Sequence, residues 1–74
     1  MNRTTIKRAL KSAAGGAQFI DRQTVKVCMG WGNGRTDETL RGLDFIRLSQ
    51  RKQYDIDEVA ARIFEQVERN EFYV

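Results

Sequence analysis

Residues 21–42 read DRQTVKVCMGWGNGRTDETLRG, and the fold that the sequence predicts is decided by this stretch. Asp21 is a favourable N-cap, and apolar residues at helical spacing follow it as far as Met29, so a helix is predicted from Asp21 to Met29. Gly30 is the predicted stop of that helix. Residues 30–34 contain three glycines, which weaken a helix interior, and this segment is therefore predicted to be a turn.

A further short helix is predicted after the turn. It starts between Asn33 and Thr36 and ends at Gly42. Leu40 and Leu43 are expected to face the core, which leaves the polar side chains of this helix for solvent or a ligand.

The sequence before residue 21 predicts one more helix. Apolar residues recur at three- and four-residue spacing from about Thr4 to Ala14, with Thr4 or Thr5 as the N-cap. Gly15-Gly16 ends this helix, and Phe19-Ile20 follows as a short apolar step.

The sequence after residue 42 predicts a β-hairpin and a last helix. Residues 45–48 and 52–56 are expected to be strands that flank a polar, basic tip at 49–51. The last helix is predicted to begin at Asp57, or at Asp55 with Glu58 as a capping box, and to end at Asn70. The predicted class is therefore mainly α with a small β-hairpin, over a single domain of residues 1–74 whose residues 71–74 form a tail.

Composition excludes several classes of protein. The 74 residues include thirteen Lys or Arg, ten Asp or Glu, one Cys and no His. One Cys excludes an internal disulfide, and a structural zinc site needs four Cys or His ligands. We expect no metal, no cofactor and no catalytic activity, since the acidic residues 55, 57 and 58 are explained as helix-capping groups. No long apolar run or leader is apparent, so we expect no membrane contact and a cytoplasmic location.

The charge is distributed unevenly along the chain. Residues 1–54 hold eleven basic and four acidic side chains, a balance of +7, and residues 55–74 hold two basic and six acidic ones, a balance of −4. A basic body joined to an acidic end favours a polyanionic partner for the body.

Two short helices around a tight turn, followed by a basic hairpin, are the plan of a winged helix-turn-helix DNA-binding domain. The second helix then reads bases in the major groove, and the hairpin, or wing, reaches the backbone or minor groove. The predicted base contacts on this reader helix are Asn33, Arg35, Thr36, Thr39 and Arg41. The predicted wing contacts are Arg47, Gln50, Arg51 and Lys52. The predicted contacts to the DNA backbone are Lys7, Arg8, Arg22 and Lys26. These residues predict sequence-specific binding of double-stranded DNA.

Three stretches, residues 19–30, 40–46 and 54–60, resemble the small excisionase-like and MerR-like winged-helix proteins of phages and mobile elements. In that family a capped helix ends in Gly, the reader helix ends in Leu-x-Gly, and a basic wing leads through an aromatic residue into a final helix opened by Asp. The resemblance implies DNA binding, self-association on DNA and either a role beside a site-specific recombinase in excision or transcriptional regulation. The sequence departs from the family at Gly32-Asn33-Gly34, where Ser or Thr usually caps the reader helix.

Other interpretations of the same residues remain open. Trp31 is expected to fill the core beside the turn, and Cys28 to act as a small hydrophobic residue. Arg51 and Lys52 are also suited to protecting an exposed strand edge from aggregation. The alternative function is a small protein-interaction module, such as a phage-type inhibitor or adaptor, in which residues 72–74 bind a partner or a second copy.

Overall fold

Four helices and three strands form within residues 2–68, the part of the chain that the computed structural model describes. Their order is α1 (Arg3–Ala13), β1 (Phe19–Asp21), α2 (Arg22–Met29), α3 (Asn33–Leu40), β2 (Phe45–Leu48), β3 (Arg51–Asp55) and α4 (Ile56–Glu68). The fold is mainly helical with a small antiparallel sheet, which confirms the predicted class at that level. None of the helices in this range is long and apolar enough to cross a membrane.

Local capping sets the ends of the first two helices. The Asn2 side chain accepts a hydrogen bond from the Thr5 amide at 2.8 Å, so the prediction that Thr4 or Thr5 caps α1 is wrong. Asp21 caps α2 as predicted, and Gly30 ends it in the left-handed conformation, with φ of 68°. That conformation is open to glycine without the steric cost that a Cβ imposes.

The sheet has the strand order β1-β3-β2, with all pairs antiparallel. The sequence predicted only an apolar step at residues 19–20, but these residues form strand β1. Ile20 lies opposite Tyr54 of β3, and both side chains are buried. This pairing joins residues far apart in the sequence, so no local sequence pattern predicts it.

The hairpin turn is tighter than predicted. Ser49 and Gln50 alone form it, with φ of 52° and 65°, and Arg51 belongs to strand β3. Two consecutive residues with positive φ are typical of the two-residue turns that match the twist of paired strands.

The last helix begins at Ile56, directly after Asp55, so its start agrees with the second of the two predicted starts and lies one residue before Asp57. Its predicted end at Asn70 and the tail at 71–74 lie outside the described residues. Helix α4 packs along α1 and supplies four of the buried apolar side chains. The core consists of Ile6, Leu10, Ile20, Val25, Leu40, Tyr54, Ile56, Val59, Ala60 and Ile63. Cys28 and Trp31 are partly buried against it, as the sequence predicted.

Candidate nucleic-acid interface

A three-residue turn joins α2 to α3. Gly30 closes α2, and the Trp31 amide donates to the Lys26 carbonyl oxygen at 3.0 Å, which keeps the chain against the end of the helix. Gly32 has extended backbone angles and provides no side-chain cap, and α3 starts at the next residue, Asn33. Asn33 is the first of the predicted starting positions, so the turn is two residues shorter than the predicted segment 30–34. The helix ends at Leu40, two residues before the predicted Gly42.

Two of the predicted base contacts on α3 are buried. Thr36 and Thr39 are 0% and 1% exposed, so the prediction that these threonines face a ligand is wrong. The Thr36 hydroxyl donates to the Gly32 carbonyl oxygen at 2.9 Å, and the Thr39 hydroxyl donates to Gln66 Oε1 of α4 at 3.1 Å. Both threonines share a face of the helix with buried Leu40, and they anchor α3 on the core.

The exposed side of α3 carries charges of both signs. Its outward side chains include Asn33, Arg35, Asp37 and Glu38, and Arg41 follows as the C-cap. Arg41 forms an ion pair with Glu38 at 3.0 Å. The positive charges of Arg35 and Arg41 are balanced by the negative charges of Asp37 and Glu38, so this side of α3 has no net charge from these four residues.

The hairpin places its basic residues on two faces. Arg47 lies opposite Lys52 on the face that also holds Tyr54. The Phe45 ring lies beneath both cations, with Lys52 Nζ 4.6 Å and Arg47 Cζ 5.9 Å from the ring centroid, within the range of cation–π attraction. Arg51 alternates with Lys52 along β3, but its guanidinium extends to Asp21 at the start of α2, with Nη1 3.0 Å from Asp21 Oδ2. Gln50 is exposed at the turn.

An open groove of about 530 Å³ separates the start of α2 from the hairpin and α3. Its walls bring together three of the predicted contacts, which are Arg22, Arg51 and Lys52. A smaller pocket of about 260 Å³ continues it past Arg41 towards Phe45. The remaining walls of the larger groove are formed by Asp21, Gln23, Asp37 and Tyr54. The structure thus unites cations from α2 and β3 on one surface next to α3.

Carboxylates neutralise part of this groove. Arg22 Nε donates to Asp37 Oδ1 at 2.6 Å, and Arg51 Nη1 donates to Asp21 Oδ2 at 3.0 Å. The bond from Arg22 lowers the pKa of Asp37 and raises the pKa of the guanidinium itself. Burial opposes ionisation of Asp21, but hydrogen bonds from Thr24 and Arg51 outweigh it and lower the pKa of Asp21. The carboxyl groups of Asp21 and Asp37 are therefore ionised at neutral pH.

The other predicted backbone contacts lie elsewhere. Lys7 and Arg8 are on α1, and Lys7 pairs with Asp57 of α4 at 2.7 Å, which lowers the pKa of that carboxyl. Lys26 is half-buried near the end of α2. These three residues are not among the walls of the groove. Of the four predicted backbone contacts, only Arg22 therefore lines the groove.

Sequence reasoning missed two residues that hold this surface in place. Asp37 binds Arg22 across fifteen positions of sequence. Arg62, in the acidic end of the chain, donates to the carbonyl oxygens of Thr39 and Arg41 at 3.1 and 2.8 Å. A cation that satisfies the last carbonyl groups of a helix fixes its C-terminal end. Neither role has a local signal in the sequence.

Among residues 2–68, no three Cys, Asp or Glu side chains gather as a metal ion would require. Comparison of this chain with protein-family models, with curated proteins and with solved structures gave no match.

Proposed function

We propose that this chain is a winged helix-turn-helix protein that binds double-stranded DNA with sequence preference. The observation that carries the proposal is the groove in which Arg22, Arg51 and Lys52 meet beside the exposed side of α3. The element order supports it, because a three-residue turn joins two eight-residue helices and a basic hairpin follows. Winged-helix domains use the second helix and the hairpin in this order.

The dimensions of α3 suit the major groove. An α-helix is about 10–12 Å across with its side chains, which fits a major groove about 12 Å wide. Arg35, Asn33 and Arg41 are the side chains assigned to base edges. Thr36 and Thr39 have no part in this assignment, because they are buried.

The hairpin and the start of α2 are assigned to the phosphates. Arg47 and Lys52 are exposed on one face, and the Phe45 ring restricts both side chains. Arg22 and Arg51 complete the surface across the groove. Contacts of this kind position a protein on DNA without reading sequence.

The biological role that we propose with this activity is an excisionase-like recombination directionality factor, or a small transcriptional regulator, of a phage or mobile element. A site-specific recombinase and further copies of the chain on DNA are the proposed partners in the first role, and the proposed location is the cytoplasm.

Fluorescence anisotropy tests the DNA proposal. Duplexes are first selected from a randomised pool, and binding of a selected and an unrelated duplex is then measured over a series of salt concentrations. Affinity should fall with salt for both duplexes, because phosphate contacts release counterions. Affinity that does not depend on salt would refute the proposal.

Two variants separate the two kinds of contact. Lys52→Ala should weaken binding to both duplexes alike and lower the salt slope by about 1. Arg35→Ala should weaken the selected duplex more than the unrelated one. Lys11→Ala is the matched control, since it removes an exposed cation of α1 away from the groove and should leave selectivity unchanged.

A second candidate function, a protein-interaction module, is favoured by the outer face of the sheet. Phe19, Ile46 and Leu48 lie on this face, and they are 38%, 43% and 51% exposed. The acidic side chains of Asp55 and Glu58 are beside Phe19 and Ile46, so the partner that fits is a basic segment with apolar anchors. Ile46→Ser should abolish such binding and leave DNA affinity unchanged. Light scattering of the same variant reports whether this face instead joins two copies.

A further inference from the structure

Asp37 forms an ion pair with Arg22, one of the cations of the proposed DNA-binding surface. Its carboxylate accepts from Arg22 Nε at 2.6 Å, and Asn33 Oδ1 accepts from Arg22 Nη2 at 3.2 Å. Arg22 is thereby tied to the first and second turns of α3. The side chains of Arg22 and Asp37 are 37% and 59% exposed, so the pair faces the solvent of the groove.

An ion pair in this setting contributes little to folding. Exposed pairs are strongly screened by water and typically have small effects on stability. Helix α3 is held in the fold instead by its buried threonines and by the bonds from Arg62. Asp37 is therefore free to be replaced without loss of the fold, and its effect on ligand binding can be measured separately.

A carboxylate and a phosphate make the same demand on an arginine. Both present two oxygen atoms to the planar guanidinium, and both form charge-assisted hydrogen bonds with it. Phosphate that approaches Arg22 in this groove meets a site whose charge is already balanced, and it is repelled by the adjacent Asp37. This repulsion weakens binding to every DNA sequence, because every sequence has the same phosphate groups.

We propose that Asp37 is a selectivity-determining residue that competes with DNA phosphate for Arg22 and suppresses binding to unrelated sequences. Arg22 exchanges Asp37 for phosphate only where the base contacts of α3 hold the duplex close enough for the exchange. On an unrelated duplex the ion pair between Arg22 and Asp37 remains intact, so the groove presents fewer unpaired cations to the phosphates than it does on a selected duplex. The proposal rests on the DNA-binding function proposed above.

The test compares Asp37→Asn with Asp44→Asn. Both variants remove one negative charge by the same chemical change, but Asp44 is exposed in the loop between α3 and β2 and is not among the walls of the larger groove. Asp37→Asn should bind the unrelated duplex about fivefold more tightly, the effect of one unit charge about 4 Å away in water. Its salt slope should steepen by about 0.9, corresponding to one more phosphate contact. The preference for the selected duplex should fall, whereas Asp44→Asn should change affinity less than twofold.

A double variant decides whether Arg22 carries the effect. In an Arg22→Ala background, Asp37→Asn should no longer tighten binding to the unrelated duplex. The proposal is overturned if the gain persists there, or if Asp44→Asn gives an equal gain, because the effect is then a general one of net charge. It is also overturned if wild-type protein binds DNA and Asp37→Asn binds no differently. Absence of salt-dependent binding by wild-type protein refutes the DNA-binding function itself, and this inference with it.

Discussion

Replacing Thr39 by Val distinguishes a structural threonine from a base-reading one. The Thr39 hydroxyl donates to Gln66 Oε1 at 3.1 Å, and the two residues are 1% and 9% exposed. Valine preserves the shape of the side chain but removes the donor. A buried acceptor left without a partner costs about 1–3 kcal/mol. We therefore expect Thr39→Val to lower the free energy of unfolding by about 2 kcal/mol.

The size of this effect is measurable in so small a domain. For 60–100 residues, a loss of 1 kcal/mol lowers Tm by about 4–8 °C, so the variant should melt about 8–16 °C below the wild type. Urea unfolding followed by far-UV circular dichroism gives the free energy directly. Thr4→Val is the matched control, because Thr4 is exposed on α1 and its replacement should change stability by less than about 0.5 kcal/mol.

A second substitution tests the cause. Gln66→Met removes the Oε1 acceptor that Thr39→Val leaves without a donor. The double variant Thr39→Val/Gln66→Met should therefore recover most of the lost stability, as paired apolar replacements often do. DNA selectivity, measured by anisotropy, should match the wild type in every folded variant. Wild-type stability in Thr39→Val together with altered selectivity would refute the assignment of Thr39 to the core.

Three further outcomes follow from local features. Asp21→Ala should lower the free energy of unfolding by about 1 kcal/mol, measured by thermal unfolding, because the α2 cap is lost, whereas Asp21→Asn keeps the cap. Folding lowers the pKa of Asp21, so the stabilisation by its charge is complete above the unfolded pKa of about 3.9. The difference in stability between wild type and Asp21→Asn should therefore shrink as pH falls through the folded pKa. Gly30→Ala places a Cβ in open space but at φ of 68°, and should cost about 1–2 kcal/mol in urea unfolding, so an unchanged midpoint contradicts the left-handed cap. Burial raises the pKa of the Cys28 thiol, so iodoacetamide at pH 8 should alkylate the folded protein more slowly than the urea-unfolded chain, and equal rates would contradict its burial.

The best sequence predictions concern features that neighbouring residues determine together. Helix α2 begins after Asp21 and ends at Gly30 as predicted, because a cap and a left-handed glycine act on the adjacent backbone. The hairpin and the stripe of α4 were predicted for a similar reason, since alternation and helical spacing are local patterns. Strand β1 was missed because three residues form a strand only when β3 lies beside them.

The face of α3 was predicted in part. An eight-residue helix with Leu40 as its one strongly apolar residue gives little information on its orientation. The threonines were assigned to the ligand because their hydroxyls suit base contacts, but Thr36 lies one turn before Leu40, and Thr39 is adjacent to it. Burial is tolerated because each hydroxyl finds an acceptor, at Gly32 and at Gln66.

The sequence by itself determined the Asp21 cap of α2, the left-handed glycine at residue 30, the hairpin and the concentration of basic residues before residue 55. Only the tertiary structure decided which of those cations are paired and which share a groove. Arg22 meets Asp37 across fifteen positions, and Arg51 meets Asp21 across thirty. Caps and turns act over a few bonds of the chain, whereas an ion pair needs only a short distance through space. That distance is set by how the sheet and α3 pack on the shared core.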